Sequence, residues 1–288
     1  MPESAQTVQA ALSERFGERL DIDTGLAGLD ELARIAAHRV QRRYLARDIA
    51  PELLRLLCAC ALSAPSKSDL QQADILIVRD KSTIGKIADL LPEMPWLREA
   101  PVFLVFLANG RRLPKISQMR GKPFPNDHFD LLFNAAVDAG IVLATFLRAA
   151  EAVGLGCCPI SVIRDHASVI SEMLALPGKV IPVAGMCVGW PAEAGGISPR
   201  LSLATTLHEE RFDEGDLGAQ IDAYDRRRAA SRPYRNQREP ARFAWISTAG
   251  RRTRRGNTRR RCAPTSALSC GPRDFGSIEL EWEPVARS

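Results

Sequence analysis

"LLFNAAVDAGIVLATFLRAAEAVG", residues 131–154, is the most apolar long stretch of this 288-residue chain, and its reading decides the fold. It is long enough to cross a bilayer. It also carries Asp138, Arg148 and Glu151, and charges are costly in lipid. The spacing therefore predicts a buried core helix over 128–153, stopped at Gly154, rather than a membrane span. Gly154 and Gly156 let the backbone turn sharply, and "CCPISVI" (157–163) reads as extended.

Outward from this helix, "PVFLVFLAN" (101–109) and "VIPVAGMCVGW" (180–190) are continuous apolar runs, expected as strands covered on both faces. "DILIVRD" (74–80) is a third strand. In "DIAPELLRLLCACALSAPS" (48–66), Asp48 and Pro51 mark a helix start and Pro65 its end. Further helices are expected over 7–19, 30–42, 82–91 and 165–175. Residues 110–126 read as loop, and 205–212 as a weak strand or turn. A few buried strands among many helices suggest α+β or α/β architecture. The chain divides into an N-terminal helical extension (1–29), a main domain (30–225) and a tail (226–288).

The net charge of +5 hides an asymmetry. Residues 226–288 carry sixteen Arg and five acidic residues, whereas residues 1–225 hold 23 basic and 29 acidic ones. "RRTRRGNTRRR" (251–261) has no apolar period, so the tail is expected to be disordered. It could bind nucleic-acid phosphates incidentally, but no reader module accompanies it. The N-terminus lacks the basic and apolar regions of a secretory signal. Seven cysteines form no CxxC, and the four histidines are widely spaced. Reduced thiols in a cytoplasm and no metal site are expected. The common catalytic signatures, GxGxxG, GxxxxGK[ST], HExxH and GxSxG, are absent.

Four short elements suit a polar anionic ligand. "HRVQRRY" (38–44) clusters His38, Arg39, Arg42 and Arg43. Arginine offers phosphate a rigid fork of donors, and Arg39 and Arg42 would share one helical face. Taken alone, the cluster fits a solvated helix face better. "APSKSDLQ" (64–71) gathers hydroxyls and a glutamine between a helix and a strand. "GLGCCPISVIRD" (154–165) can offer backbone amides to a flat ligand. "GWPAEAGGISPRL" (189–201) ends on Arg200.

In this order, across roughly 30–213, these elements resemble the FMN-dependent nitroreductase family, in its flavin reductase and oxygen-insensitive nitroreductase branch. "HRVQRRY" matches the family's H-R-S-x-R-x-F opening, and "APSKSDLQ" its second flavin loop. "AAEAVGLGCCPISVIR", "LPGKVIPVAGMCVGWP" and "PRLSL" match three further segments. The resemblance implies an α+β fold: a central mixed sheet flanked by helices in an intertwined homodimer, with helix 128–153 in the dimer core. It implies FMN at the subunit interface, with NADH or NADPH as reductant. Hydride would pass through flavin N5 to a nitroaromatic, quinone, free flavin or enone. Arg39, Arg42 and Arg200 would hold the phosphate and ribityl chain, with His38 and Val40 lining the same turn. Pro65, Ser66, Lys67, Ser68 and Gln71 would form the second loop. Pro159, Ile160, Ser161 and Val162 would lie beside the isoalloxazine. No dedicated catalytic residue is implied, because the flavin carries the chemistry. Other reactions on the same fold, such as dehalogenation, aldehyde reduction or flavin breakdown, stay open.

Several positions depart from the family pattern. Val40 stands where Ser is frequent, Ser161 and Val162 replace a Gly-Gly pair, and Ser198 replaces a Lys, unless Arg43 substitutes for it. The texture from 244 onward matches nothing in the family, which suggests a reading-frame change near codon 243.

Overall fold

The computed structural model describes residues 2–231. The tail beyond 231, including the Arg-rich run and the suggested frame change, lies outside the described residues. Two compact units are present, one formed by residues 41–193 and the other by residues 2–40 with 194–231. The helical extension expected to end at 29 thus belongs with later segments.

In the first unit, β1 (Ala73–Val78), β2 (Val102–Asn109), β3 (Gly156–Ile160) and β4 (Val180–Gly189) form one sheet in the order β1-β2-β4-β3. Its two central strands are the two continuous apolar runs, and Val102 to Ala108 are all buried. Strands covered on both faces gain from apolar side chains at every position. All three pairings are antiparallel, with Ala73 opposite Ala108, Phe103 opposite Cys187, and Cys158 opposite Cys187. The mixed sheet implied by the resemblance is not what the described residues form, since no two neighbouring strands run parallel. At Gly185 a Cβ would lie 2.2 Å from the Phe103 ring, so only glycine lets that ring cross the strand.

The long helix runs Phe129–Ala152 and packs against all four strands and against the helix Pro51–Leu62. Pro51 occupies the first turn, where a missing N–H costs nothing. The helices Glu3–Phe16, Leu29–Ala36, Pro51–Leu62, Lys81–Asp89, Arg112–Met119 and Phe129–Ala152 are labelled α1 to α6. Leu54, Leu57 and Ala61 of α3 meet Val142, Phe146 and Ala150 of α6 in one core with Leu104, Phe106 and Met186. Phe106 and Phe146 pack edge to face, centroids 6.0 Å apart. Although α6 is long and apolar enough to cross a membrane, this packing makes it a core helix.

Four local expectations change. The segment 110–126 contains α5, because the Asn109 side-chain oxygen accepts the N–H groups of Arg111 and Arg112, both at 3.0 Å. That helix buries no residue, so it leaves no apolar period to read. The extended run after Gly156 stops at Ile160, and Ser161–His166 is a 3-10 turn leading into α7 (Ala167–Met173). Residues 205–212 contain no strand. One helical turn, α8 (Leu203–Thr206), stands there instead. A helix, α9 (Leu217–Ser231), crosses the expected boundary at 225/226.

In the second unit, α1 packs on α2, and Ala11, Ala36 and Ile197 form a small core. Its polar centre is Arg15, which is only 8% exposed. Its guanidinium donates to the carbonyls of Ala36 (3.0 Å), His38 (2.7 Å) and Ser198 (3.4 Å). The Arg15 carbonyl accepts the Arg200 N–H at 2.6 Å.

Phe146→Ala removes the ring at the centre of the α6–sheet contact and is expected to cost about 3–5 kcal/mol. Denaturant unfolding of the purified variant measures it.

Candidate flavin site

α2 ends at Ala36, and 38–43 leave it without helical structure. The expectation of a helix to 42, with Arg39 and Arg42 on one helical face, is therefore not met. The physical reason lies in the backbone partners. Within the sheet unit, Gln41 N–H donates to Cys157 O at 2.9 Å, and Leu45 N–H to Trp190 O at 2.8 Å. Tyr44 bridges Pro191, and Ala192 N–H donates to Arg43 O at 3.1 Å. Residues 41–45 are thus threaded onto the ends of β3 and β4. A Cβ on Gly156 would meet the Gln41 side chain at 2.5 Å, so that glycine is what permits the close approach.

The basic side chains then divide. Arg39 is half-buried, and its Nε is a buried donor with no acceptor. An unmet buried donor on a cation is costly, and an anion would satisfy it. Arg42 is exposed, with its guanidinium 5.2 Å above the Trp96 ring, a cation–π arrangement. Arg43 is solvent-exposed and forms a long pair with Glu193 at 3.7 Å. His38 and Val40 are half-buried.

In the loop, Pro65, Ser66 and Lys67 are exposed. Ser66 Oγ donates to Ser68 O at 2.9 Å, and Ser68 Oγ accepts the Leu70 N–H at 3.3 Å. Gln71 has φ +51°, a left-handed conformation that costs a non-glycine residue about 1–3 kcal/mol. Its Nε2 donates to Leu62 O at 2.6 Å, a bond that does not use the side-chain oxygen. Asp138 accepts two N–H groups of this loop, from Lys67 at 3.1 Å and Gln72 at 3.3 Å. Arg112 of α5 ties the loop's far end, reaching the carbonyls of Leu70 and Gln71 and the carboxylate of Asp74.

At the end of β3, Ile160 is 2% exposed and its side chain belongs to the core. It can offer a ligand only its backbone. Pro159 has no N–H to offer, and Ser161 is exposed while Val162 is half-buried. Arg200 is exposed, and Arg15 links its backbone to the His38 carbonyl.

The structure brings His38 and Arg39 together with Arg200 in one unit, through Arg15. In the sheet unit it keeps two groups apart: the 65–71 loop leads into β1, whereas 159–162 end β3, at opposite edges of the sheet. Three strand spacings separate those edges, about 14 Å. Arg15 and Asp138 were missed by sequence reasoning. Each is a charge at a core-facing helical position, which is the signal that could have found them.

Burial pushes the Cys58 thiol up to about 11. It raises Cys157 and Cys187 well above the ordinary thiol range. Cys158 is raised for the same reason, against the opposing charge of Arg42. Burial also keeps the Tyr44 phenol neutral, and its OH donates to Gln41 O at 2.7 Å. These thiols are structural and not nucleophiles. Among the described residues no His/Cys/Asp/Glu group is arranged for a metal.

Residues 35–190 match the model of the nitroreductase family. The chain belongs to the nitroreductase family. It is 36% identical over 192 residues to FMN reductase [NAD(P)H] of Bacillus subtilis (strain 168), covering 65% of this chain and 77% of that one. It is 32% identical to NADPH-flavin oxidoreductase of Vibrio harveyi, covering 66% and 78%. The solved structure of NfrA2 from B. megaterium superposes with a TM-score of 0.67 at 34% identity, over 69% of this chain and 81% of that one. The α+β fold implied by the sequence resemblance is that of this family.

The raised thiol values carry a pH dependence. A thiol held neutral by folding stabilises the protein below its unfolded value, near 9, and that contribution is lost as pH rises through the folded value. Stability measured by denaturant titration is expected to fall from pH 9 to about 11 as Cys58 ionises. Cys58→Ala should flatten part of that slope.

Proposed function

We propose that this nitroreductase-family protein is an FMN-dependent oxidoreductase that passes a hydride from NADH or NADPH to a nitroaromatic, quinone or similar small electrophile. The observation that carries this reading is the buried Arg39 Nε without an acceptor. A phosphate monoester fits that donor. The relatives called FMN reductase and NADPH-flavin oxidoreductase support the same cofactor and reductants.

Arg39 and Arg200 would hold the phosphate, with Arg42 free to turn from Trp96 toward the ribityl chain. Ser66, Ser68 and the Gln71 side-chain oxygen would bind ribityl hydroxyls and the ring edge. The N–H groups at Ile160, Ser161 and Val162 are candidates for the polar edge of the isoalloxazine. FMN, when bound, supplies the hydride-carrying chemistry, and the protein supplies orientation and electrostatics. Ser161 and Val162, bulkier than glycines, would narrow the space above the ring and restrict the electron acceptor.

The separation of the 65–71 loop from 159–162 supports a site completed by a second copy of the chain. One copy would give the loop and the other the β3 end. Helix α6 offers the surface for it: Phe129, Phe133 and Val137 recur every four residues and are 38%, 56% and 46% exposed. An apolar stripe of this kind on a core helix suits a partner. We place the protein in a reducing cytoplasm, where the five described cysteines remain free thiols.

Purified protein is expected to be yellow and to bleach on anaerobic addition of NADH or NADPH. Arg39→Ala should weaken FMN binding by about ten-fold or more, the effect of losing a charge-assisted hydrogen bond. A colourless protein that refuses FMN would sink the reading. Phe133→Asp is expected to yield monomers by light scattering and to release FMN with them.

A further inference from the structure

The loop at 64–72 takes its shape from a group that its own sequence does not supply. Asp138 is 2% exposed, and it is the one acidic side chain among the buried polar residues described, beside Arg15 and Gln72. Its Oδ1 accepts the Lys67 N–H at 3.1 Å and its Oδ2 accepts the Gln72 N–H at 3.3 Å. Those two amides bracket Ser68 to Gln71. Between them the backbone turns through the left-handed Gln71, at φ +51°. Gln72 is itself fully buried, and its Nε2 donates to Leu131 O at 3.2 Å. One turn of the loop is therefore fastened to α6 at three points, two of them on one carboxylate.

The chemistry requires a carboxylate at this position. An ionised aspartate is acceptor-only, with two oxygens, and can receive two amides at once. An asparagine of the same shape presents one acceptor and one donor, and sets its NH₂ against one of the two N–H groups. A purely apolar residue leaves both amides without partners beside the core, at the cost that unmet buried donors carry. A loop held at both ends also keeps its polar atoms in place. Of its polar atoms, the Ser66 hydroxyl is bonded to Ser68 O and the Ser68 hydroxyl accepts the Leu70 N–H, and each keeps hydrogen-bonding capacity to spare; the Gln71 amide donates its N–H to Leu62 and keeps its oxygen.

We propose that Asp138 is a positioning residue for the flavin: through the Lys67 and Gln72 amides it presents Ser66, Ser68 and Gln71 in the arrangement that receives the ribityl chain. This rests on the FMN reading above. Asp138 touches no ligand itself. It acts through the loop, and α6 is the template that fixes where the loop stands.

The test uses full-length Asp138→Asn, with Ala139→Gly as a control that weakens the same buried stretch of α6 without touching the loop amides. The Asn variant is expected to bind FMN about ten-fold more weakly in fluorescence titrations of the apoprotein, by the loss of a charge-assisted bond. The visible circular dichroism of its bound flavin is expected to change. Ala139→Gly, at a comparable loss of unfolding midpoint, is expected to keep the wild-type affinity and spectrum. An Asn variant with wild-type affinity and flavin spectrum overturns the proposal, as does a control that loses affinity to the same degree. Should the Asn variant not fold, hydrogen exchange of the wild-type protein decides. FMN is expected to slow exchange at the Lys67 and Gln72 amides, and unchanged rates there overturn the proposal. Wild-type protein that takes up no FMN fails at the first titration, before any variant is made, and removes the flavin reading together with this one.

Discussion

The sheet unit depends on α6 lying across the sheet, with Phe146 against Phe106 of β2. Because β2 is buried along its length, it needs cover on both faces, and α6 with α3 supplies one of them. This contact sets the depth at which every residue of α6 sits. It buries Asp138 and leaves Phe133, five residues earlier, exposed. A helix this apolar could bury a carboxylate only where backbone donors meet it, and the 64–72 loop brings two. The core and the 64–72 loop are thus held by the same helix.

A second buried charge organises the other unit by the same rule. Arg15 lies among Ala5, Val8 and Ala11 on the inner face of α1. It is tolerated there because three carbonyls from two distant segments point at it. Those segments carry His38–Arg39 and Arg200. A guanidinium has a fixed fork of donors, so it sets the spacing of the carbonyls it joins. The basic residues suited to phosphate are arranged by a basic residue that is itself spent on structure.

Much of this was legible from the sequence, and what was not has a common cause. The runs at 101–109 and 180–190 announce buried strands because every side chain must be apolar. α3 shows its start in Pro51 and its end before Pro65. α5 was invisible because it buries nothing, and its only start signal is a side-chain bond from Asn109. The end of α2 was misplaced because Arg39, Gln41 and Arg42 are all acceptable in helices. Gln41, which the periodicity would place in the helix, instead donates its N–H to Cys157 O, a partner more than a hundred residues away. Only the resemblance to a family marks the basic cluster as a candidate ligand site rather than a solvated helix face. Its local geometry, with Arg39 turned inward and Arg42 over Trp96, follows from a pairing that no periodicity records.

The arrangement on α6 has one further physical consequence. Val137 ends the exposed apolar stripe, and the adjacent Asp138 holds the loop from the buried side of the same turn. Neighbouring residues on a helix point about 100° apart, so the two faces share one stretch of backbone. A partner covering Phe133 and Val137 would stiffen that stretch and, with it, the carboxylate that fixes Lys67 and Gln72. Binding that orders a segment lowers the entropy cost for a second ligand using the same segment. The exposed stripe and the 64–72 loop are thus tied to one stretch of α6 backbone.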